Sequence, residues 1–333
     1  MEIILNSGVQ FITWLQKLGS WLTPVMKLFT DIGSEQFYLV IAPAILWCID
    51  TTFGLRMIIF LLFNGMFNTA LKVAFHGPRP YWYTRDVKAL GSAENSFGVP
   101  SGHAQNSVVV WGALAEQIKH RWAWIIATLL MLLIGVSRIY LALHFPHDVL
   151  QGWVFGIIML WLFVHLEKPI LNWYKKMKTT IQLILAFLTS LALILIVLIA
   201  QLTLRGWSLP IDWVNNAHLA FPAEPVINPL SYHNFLFSTG AFFGLAAGWI
   251  WILKLGGFST MDAWWKLVLR YLVGILGLGI LYLAPNAILT ESETVISYIA
   301  QYIRYALIGF WISGLAPWIF LKLKLASKTS RSS

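Results

Sequence analysis

Apolar runs about twenty residues long recur along most of this chain, and charged groups interrupt them at few positions. A run of that length crosses the ~30 Å hydrocarbon layer as a helix, and a helix satisfies its own backbone hydrogen bonds there. A membrane barrel would instead alternate polar and apolar residues in segments of about 10, a pattern the sequence lacks. Only 11% of the 333 residues are charged and 58% are hydrophobic, against about a quarter charged in a soluble domain. The sequence therefore predicts an all-α, polytopic transmembrane helical bundle.

Nine spans are expected, at 36–50, 55–75, 101–118, 122–143, 147–166, 180–202, 234–254, 265–284 and 296–321. The first is short for a bilayer. A polar loop from His76 to Val99 separates the second and third spans. A basic amphipathic stretch, Glu167 to Lys178, follows the fifth, and a loop at 203–233 rich in Pro and Asn follows the sixth. Residues 8–30 carry Phe11, Ile12, Trp14, Leu15, Leu18, Trp21 and Leu22 at near-helical spacing, which predicts one helix lying in the membrane interface. These features divide the chain into an interfacial region at 1–35, a core at 36–202, three additional spans within 203–325 and a basic, disordered tail at 326–333.

The net charge is +9, but the basic residues are dispersed among loops, which argues for topology setting and against a nucleic-acid partner. One set of loops holds Arg56, Lys119, Arg121, Lys168, Lys175, Lys176, Lys178, Lys254 and Lys266, together with the tail. Lysine and arginine favour the cytoplasmic side, so the C-terminus is expected in the cytoplasm and the N-terminus outside. Cys48 is the single cysteine, which excludes an internal disulfide and a cysteine-rich metal centre.

Three polar motifs sit at span edges on the non-cytoplasmic side: Lys72 with Arg79-Pro80, then Pro100-Ser101-Gly102-His103, then Ser137-Arg138 with His144 and Asp148. Ionisable groups are costly against hydrocarbon and mark a site by default. Guanidinium groups grip phosphate oxygens in a fixed fork, and lysine adds a point charge. The Pro-Ser-Gly sequence suits a helix start whose free N–H groups favour an anion. Asp148, four residues after His144 and in the first turn of a helix opened by Pro146, can fix the imidazole tautomer and leave the other nitrogen free to attack. His103 can then protonate the leaving oxygen and later activate water. Singly these motifs are weak, since a lone lysine at a span end usually snorkels and Pro-Ser-Gly is a common cap. Ordered together on one face, they argue for a phosphate-ester site that needs no metal or other cofactor. His76 and His147 read as local structural residues, and Arg85, Asp86 and Glu94 as solvated.

The signature Lys-x6-Arg-Pro, Pro-Ser-Gly-His and Ser-Arg-x5-His-x3-Asp resembles that of the type 2 phosphatidic acid phosphatase (PAP2) superfamily, with every position and spacing matched over a region corresponding to residues 36–202. The resemblance implies a six-helix PAP2-type core, with Lys72, Arg79, Ser101, Gly102 and Arg138 as phosphate binders. It also implies His103 as acid and base, His144 as nucleophile and Asp148 as its partner. The three extra spans and the tetrapeptide Arg79-Pro80-Tyr81-Trp82 look like the glucose-6-phosphatase branch.

The expected activity is hydrolysis of a phosphorylated lipid, such as phosphatidate, phosphatidylglycerol phosphate or a polyprenyl (di)phosphate, through a phosphohistidine. The alternatives are a sugar phosphate as substrate, phosphoryl transfer to an alcohol, or a non-catalytic transporter or scaffold. The expected setting is a bacterial inner membrane. The expected partners are the lipid bilayer and the phosphorylated substrate, with the oligomeric state left open.

Overall fold

The computed structural model describes residues 2–283 and 293–329, and every described regular element is helical. In chain order these are α1 (Glu2–Gln16), α2 (Thr23–Ile32), α3 (Glu35–Cys48), α4 (Thr51–Phe75), α5 (Pro80–Tyr83), α6 (Gly102–Ile118) and α7 (Arg121–Tyr140). They continue with α8 (Pro146–Lys175), α9 (Thr179–Leu202), α10 (Ile211–Ala220), α11 (His233–Lys254), α12 (Trp264–Leu283), α13 (Val295–Phe310) and α14 (Ala316–Lys322).

Among the described residues seven stretches are long and apolar enough to cross a membrane: Thr51–Tyr83, Arg121–Tyr140, Pro146–Lys175, Thr179–Leu202, Phe235–Lys254, Trp264–Leu283 and Val295–Lys322. They correspond to seven of the nine expected spans. The other two differ for separate reasons. α3 has 14 residues, which at 1.5 Å per residue reaches only about 21 Å. α6 has 17 residues and buries Gln105, Asn106 and Ser107, so its polar content is high for a membrane span.

Several boundaries depart from expectation. The span at 147–166 and the basic stretch after it, as far as Lys175, form one continuous 30-residue helix, α8, with Pro169 inside it. The loops at 76–99 and 203–233 each contain a short helix, α5 and α10. The interfacial segment is two helices rather than one, because the chain turns at Gly19, whose φ of +116° suits only glycine, and passes through a short 3-10 turn, Ser20–Leu22. Leu5 and Ile12 of α1 are buried among Ile139, Ala142, Phe145 and Val149, while Phe11, Trp14 and Trp21 stay exposed. Residue 284 of the expected span at 265–284 and residues 330–333 of the tail lie outside the described residues.

The helices form two compact units. The first comprises Met1–Tyr38, Phe67–Leu166 and Val197–Ser231. Within it α8 approaches α6 through two glycines one turn apart. A side chain at Gly152 would lie 2.6 Å from the Ser101 carbonyl oxygen, and one at Gly156 would lie 2.8 Å from Val108. Small residues at four-residue spacing are the usual means of bringing membrane helices into backbone contact. Here they bring the first turn of α8 against the start of α6.

The second unit comprises Leu39–Met66, Glu167–Ile196 and Tyr232–Ser333. Its α11 and α13 pack closely along Gly240, Gly244 and Gly248. Ser313 donates to the Leu245 carbonyl at 2.7 Å, and the Trp47 indole donates to the Ile312 carbonyl at 2.8 Å. A π-helical turn, Trp311–Leu315, joins α13 to α14, where Pro317 has no N–H to offer the carbonyl four residues earlier. Arg270 is fully buried and donates to the carbonyls of Leu325, Trp47 and Ser259 as well as to Asp262.

Candidate active site

All three motifs belong to the first unit, and the structure brings their polar groups together. Lys72, Arg79, Ser101, Arg138, His144 and Asp148 are all buried, Arg79, Ser101 and Asp148 completely.

Each is positioned by local structure that the sequence favours. Lys72 lies in the last turn of α4. Arg79 is the N-cap residue of α5, held extended before Pro80. Ser101 caps α6, its side chain accepting from the Ala104 N–H at 3.4 Å, and its own N–H donates to the Asp148 carbonyl at 2.9 Å. Gly102 opens α6, and a side chain there would lie 3.2 Å from the Asn68 amide oxygen. Asn68 in turn donates to Gln105 at 2.8 Å. His103, in the first turn of α6, is within electrostatic range of Arg138, Glu94, His144 and Arg79.

The α7–α8 corner places the remaining groups. Arg138 lies in the last turn of α7, and the N–H groups of Leu143 and His144 both donate to its carbonyl, at 3.1 and 3.2 Å. Phe145 precedes Pro146 at the start of α8, and the Asp148 carboxylate reaches back to accept the Phe145 N–H at 2.9 Å. That is the reciprocal half of a capping box, with aspartate in place of glutamate and proline in the first helical position. The same carboxylate faces two imidazoles. His144 Nδ1 lies 3.4 Å from Oδ2, close but without an aligned hydrogen bond. His147 Nε2 lies 3.0 Å from Oδ1. His147 therefore flanks the aspartate rather than standing apart from the site.

On its other side His144 meets Arg79, whose guanidinium donates to His144 Nε2 at 3.2 Å and to the Leu143 carbonyl at 3.1 Å. Burial, followed by the positive charge of Arg79, pushes the His144 pKa down to about 3 despite the opposing pull of Asp148. The ring is neutral at neutral pH, with Nε2 accepting from Arg79.

Sequence reasoning missed four residues of this constellation. Glu94, expected to be solvated, bridges two cations: its carboxylate pairs with Arg79 at 2.6 Å and also with Arg138. Burial alone would raise its pKa, but Arg138 and Arg79 outweigh that and hold the carboxyl well below the usual range. Ser96 accepts from Arg79 through its carbonyl at 2.7 Å and its hydroxyl at 3.0 Å. Phe97 presents its carbonyl to Lys72 and, at 3.3 Å, to Arg79. Thr30 of α2 accepts from Arg138 at 2.7 Å, so the N-terminal region contributes directly to the site. Only one signal in the sequence pointed to such partners: buried guanidinium groups must be compensated by something. Among the described residues no group of three or more His, Cys, Asp or Glu side chains is arranged to hold a metal ion.

Apolar helices of membrane-spanning length define an integral-membrane protein, and its first unit gathers three cations, two histidines and an aspartate into one buried cluster. Comparison with known proteins agrees. Residues 53–172 match the PAP2 superfamily, and residues 237–328 match the PAP2 superfamily phosphatase transmembrane extension. Phosphatidylglycerophosphatase B of Bacillus subtilis (strain 168) is 30% identical over 47% of this chain and 80% of its own length. Human glucose-6-phosphatase 2 is 23% identical over 99% of this chain and 100% of its own. A crystal structure of a transmembrane PAP2-type phosphatidylglycerolphosphate phosphatase from Bacillus subtilis aligns with TM-score 0.43 and 26% identity, covering 51% of this chain and 87% of that one. The chain belongs to the PAP2 superfamily and is a membrane phosphatase.

Proposed function

We propose that this phosphatase hydrolyses a phosphorylated lipid in two steps through a phosphohistidine. The supporting observation is the arrangement around His144: Asp148 beside Nδ1, and Arg79 against Nε2. In the first step His144 Nε2 attacks phosphorus, the ester P–O bond breaks, and His103 protonates the departing oxygen. In the second step His103 takes a proton from water, which attacks the phosphohistidine and releases inorganic phosphate and neutral His144. Asp148 orients the ring and stabilises its positive charge while phosphorylated. Lys72, Arg79 and Arg138, with the N-terminal N–H groups of α6 around Ser101 and Gly102, bind the phosphoryl oxygens and stabilise charge as it develops.

Two observations favour a lipid leaving group. Large apolar side chains remain exposed beside the site residues, namely Phe75 after Lys72 and Leu150 and Val154 after Asp148, as lateral entry from a bilayer requires. One relative, 30% identical over 47% of this chain, is a phosphatidylglycerophosphatase. The distribution of lysine and arginine supports placing the site on the non-cytoplasmic face of a bacterial inner membrane, with the C-terminus in the cytoplasm.

A sugar phosphate is the second reading, favoured by end-to-end similarity to glucose-6-phosphatase 2. Within the first unit the loop after α9 also covers the motif loop with aromatic and amide groups: Trp207 against Phe97, Phe221 against Tyr81, and Asn216 bonded to Arg85.

Turnover of lipid, prenyl and sugar phosphates by the purified protein, with EDTA present, separates these readings. Lipid phosphates are expected to dominate, and preference for a sugar phosphate overturns the first. Trapping of acid-labile, alkali-stable phosphate on the protein, lost in His144→Ala, tests the intermediate.

A further inference from the structure

The three cations of the site are already occupied, and all by one short stretch of the loop between α5 and α6. Glu94 bridges Arg79 and Arg138, Ser96 accepts twice from Arg79, and Phe97 accepts from Lys72 and Arg79. The backbone of Glu94 is itself anchored, since its N–H donates to the Tyr81 hydroxyl at 3.1 Å. Its side chain is 24% exposed, while the side chains of Arg79 and Arg138 are 0% and 3% exposed.

Two guanidinium groups buried without a counter-charge would be strongly destabilising, so an empty phosphate site of this kind needs a resident anion. A carboxylate whose two oxygens each meet a different arginine is a close analogue of two oxygens of a phosphoryl group. Phosphate cannot take both arginines while the carboxylate holds them, and two anions side by side would repel.

We propose that Glu94 is a resident counter-anion that occupies the phosphoryl position in the resting enzyme and must be displaced by substrate. This rests on the reading of Arg79 and Arg138 as phosphate binders. Displacement weakens the binding of every phosphate species. It also speeds product release, because the returning carboxylate competes with inorganic phosphate for the same two arginines. Glu94 thereby sets KM and product inhibition without touching the nucleophile. A residue that merely held the arginines in place would have the opposite effect on affinity.

The test uses the full-length protein in detergent, with inorganic phosphate and orthovanadate as competitive inhibitors, and compares wild type, Glu94→Gln, Glu94→Ala and Arg138→Ala. The expected result is tighter inhibition by both anions in the Glu94 variants, by about tenfold or more, well short of the full Coulombic effect of removing a unit charge at this distance. KM should fall, and kcat should be unchanged or lower. Inhibition that is unchanged or weaker in Glu94→Gln, with Arg138→Ala losing it, overturns the proposal and leaves the phosphate-binding reading intact. Inhibition undiminished in Arg138→Ala overturns that reading and the proposal with it. Failure of both Glu94 variants to yield folded protein assigns the residue a structural role and also overturns the proposal.

Discussion

A guanidinium nitrogen of Arg79 donates to Nε2 of His144 across 3.2 Å, so the nitrogen proposed to attack phosphorus is already in contact with one of the proposed phosphate ligands. The contact settles the tautomer, since Nε2 can accept only if the proton is on Nδ1, the side facing Asp148. Phosphate gripped by Arg79 would arrive next to the nucleophile, and the energy of binding would also set the geometry of attack.

His144→Ala is expected to abolish turnover, with kcat falling by on the order of 10³-fold or more, because among the described residues no other imidazole bonds to Arg79 and lies beside Asp148. Asp148→Asn should lower kcat by about 10²- to 10⁴-fold with a smaller change in KM, because the ring loses the charge that stabilises its phosphorylated form. Steady-state kinetics on both variants checks this. Normal turnover by the His144 variant would remove the nucleophile assignment.

Arg79→Lys and Arg138→Lys preserve charge but not the planar fork. Arg79 uses its geometry to reach Ser96, Leu143, His144 and Glu94 at once, which a single ammonium cannot do. Each variant should lose about 10²-fold or more in kcat/KM. A loss below about threefold in both would show that point charge alone is sufficient.

Acid should destabilise the protein over a defined window. His144 keeps its ring neutral in the folded state down to about pH 3, whereas in the unfolded chain it takes a proton near pH 6.5. The unfolded state therefore binds more protons between those values, and stability falls as pH drops through them, by a few kcal/mol in all. Glu94 acts in the same direction over a lower range, because its depressed pKa gives stability above the ordinary carboxylate range that is lost on further acidification. Thermal unfolding in detergent from pH 7 to pH 4 should show a falling midpoint in wild type and a flatter profile in His144→Asn above pH 5. Parallel profiles would assign the acid sensitivity elsewhere.

Gly152→Leu should disable the site from a distance. Its side chain would collide with the Ser101 carbonyl and Ala104 and push α8 away from α6, parting Ser101 from Asp148. A cost of about 1–3 kcal/mol is expected, together with a loss of kcat larger than that of a control on the exposed face of α8 such as Ile157→Leu. Equal melting temperatures and rates in Gly152→Leu and Ile157→Leu would refute the close approach of the helices.

The candidate site was largely legible in the sequence because its chemistry is carried by residue types that are expensive in a membrane. Lysine, arginine, histidine and aspartate at the edges of apolar runs have few reasons to be there, and the prolines beside them at Pro100 and Pro146 marked helix starts correctly, whereas the short helix that begins at Pro80 was not expected. The helical class followed from apolar run length alone. Glu94, Ser96, Phe97 and Thr30 escaped notice because nothing about a glutamate, a serine, a phenylalanine carbonyl or a threonine in a loop or short helix is unusual until its partner is known. His147 escaped because its distance from Asp148 depends on how the first turn of α8 is wound, not on the spacing of its motif.

The sequence by itself determined the helices, their apolar character and the identity of the ionisable groups, since these depend on residue type and on neighbours a few positions away. Only the tertiary structure decided which cation meets which anion, for instance Glu94 reaching both Arg79 and Arg138 across 15 and 44 residues of chain. Such pairings are fixed by where α4, α6, α7 and α8 come to lie, and that position depends on the packing of small residues such as Gly152 and Gly156 rather than on any local preference of the chain.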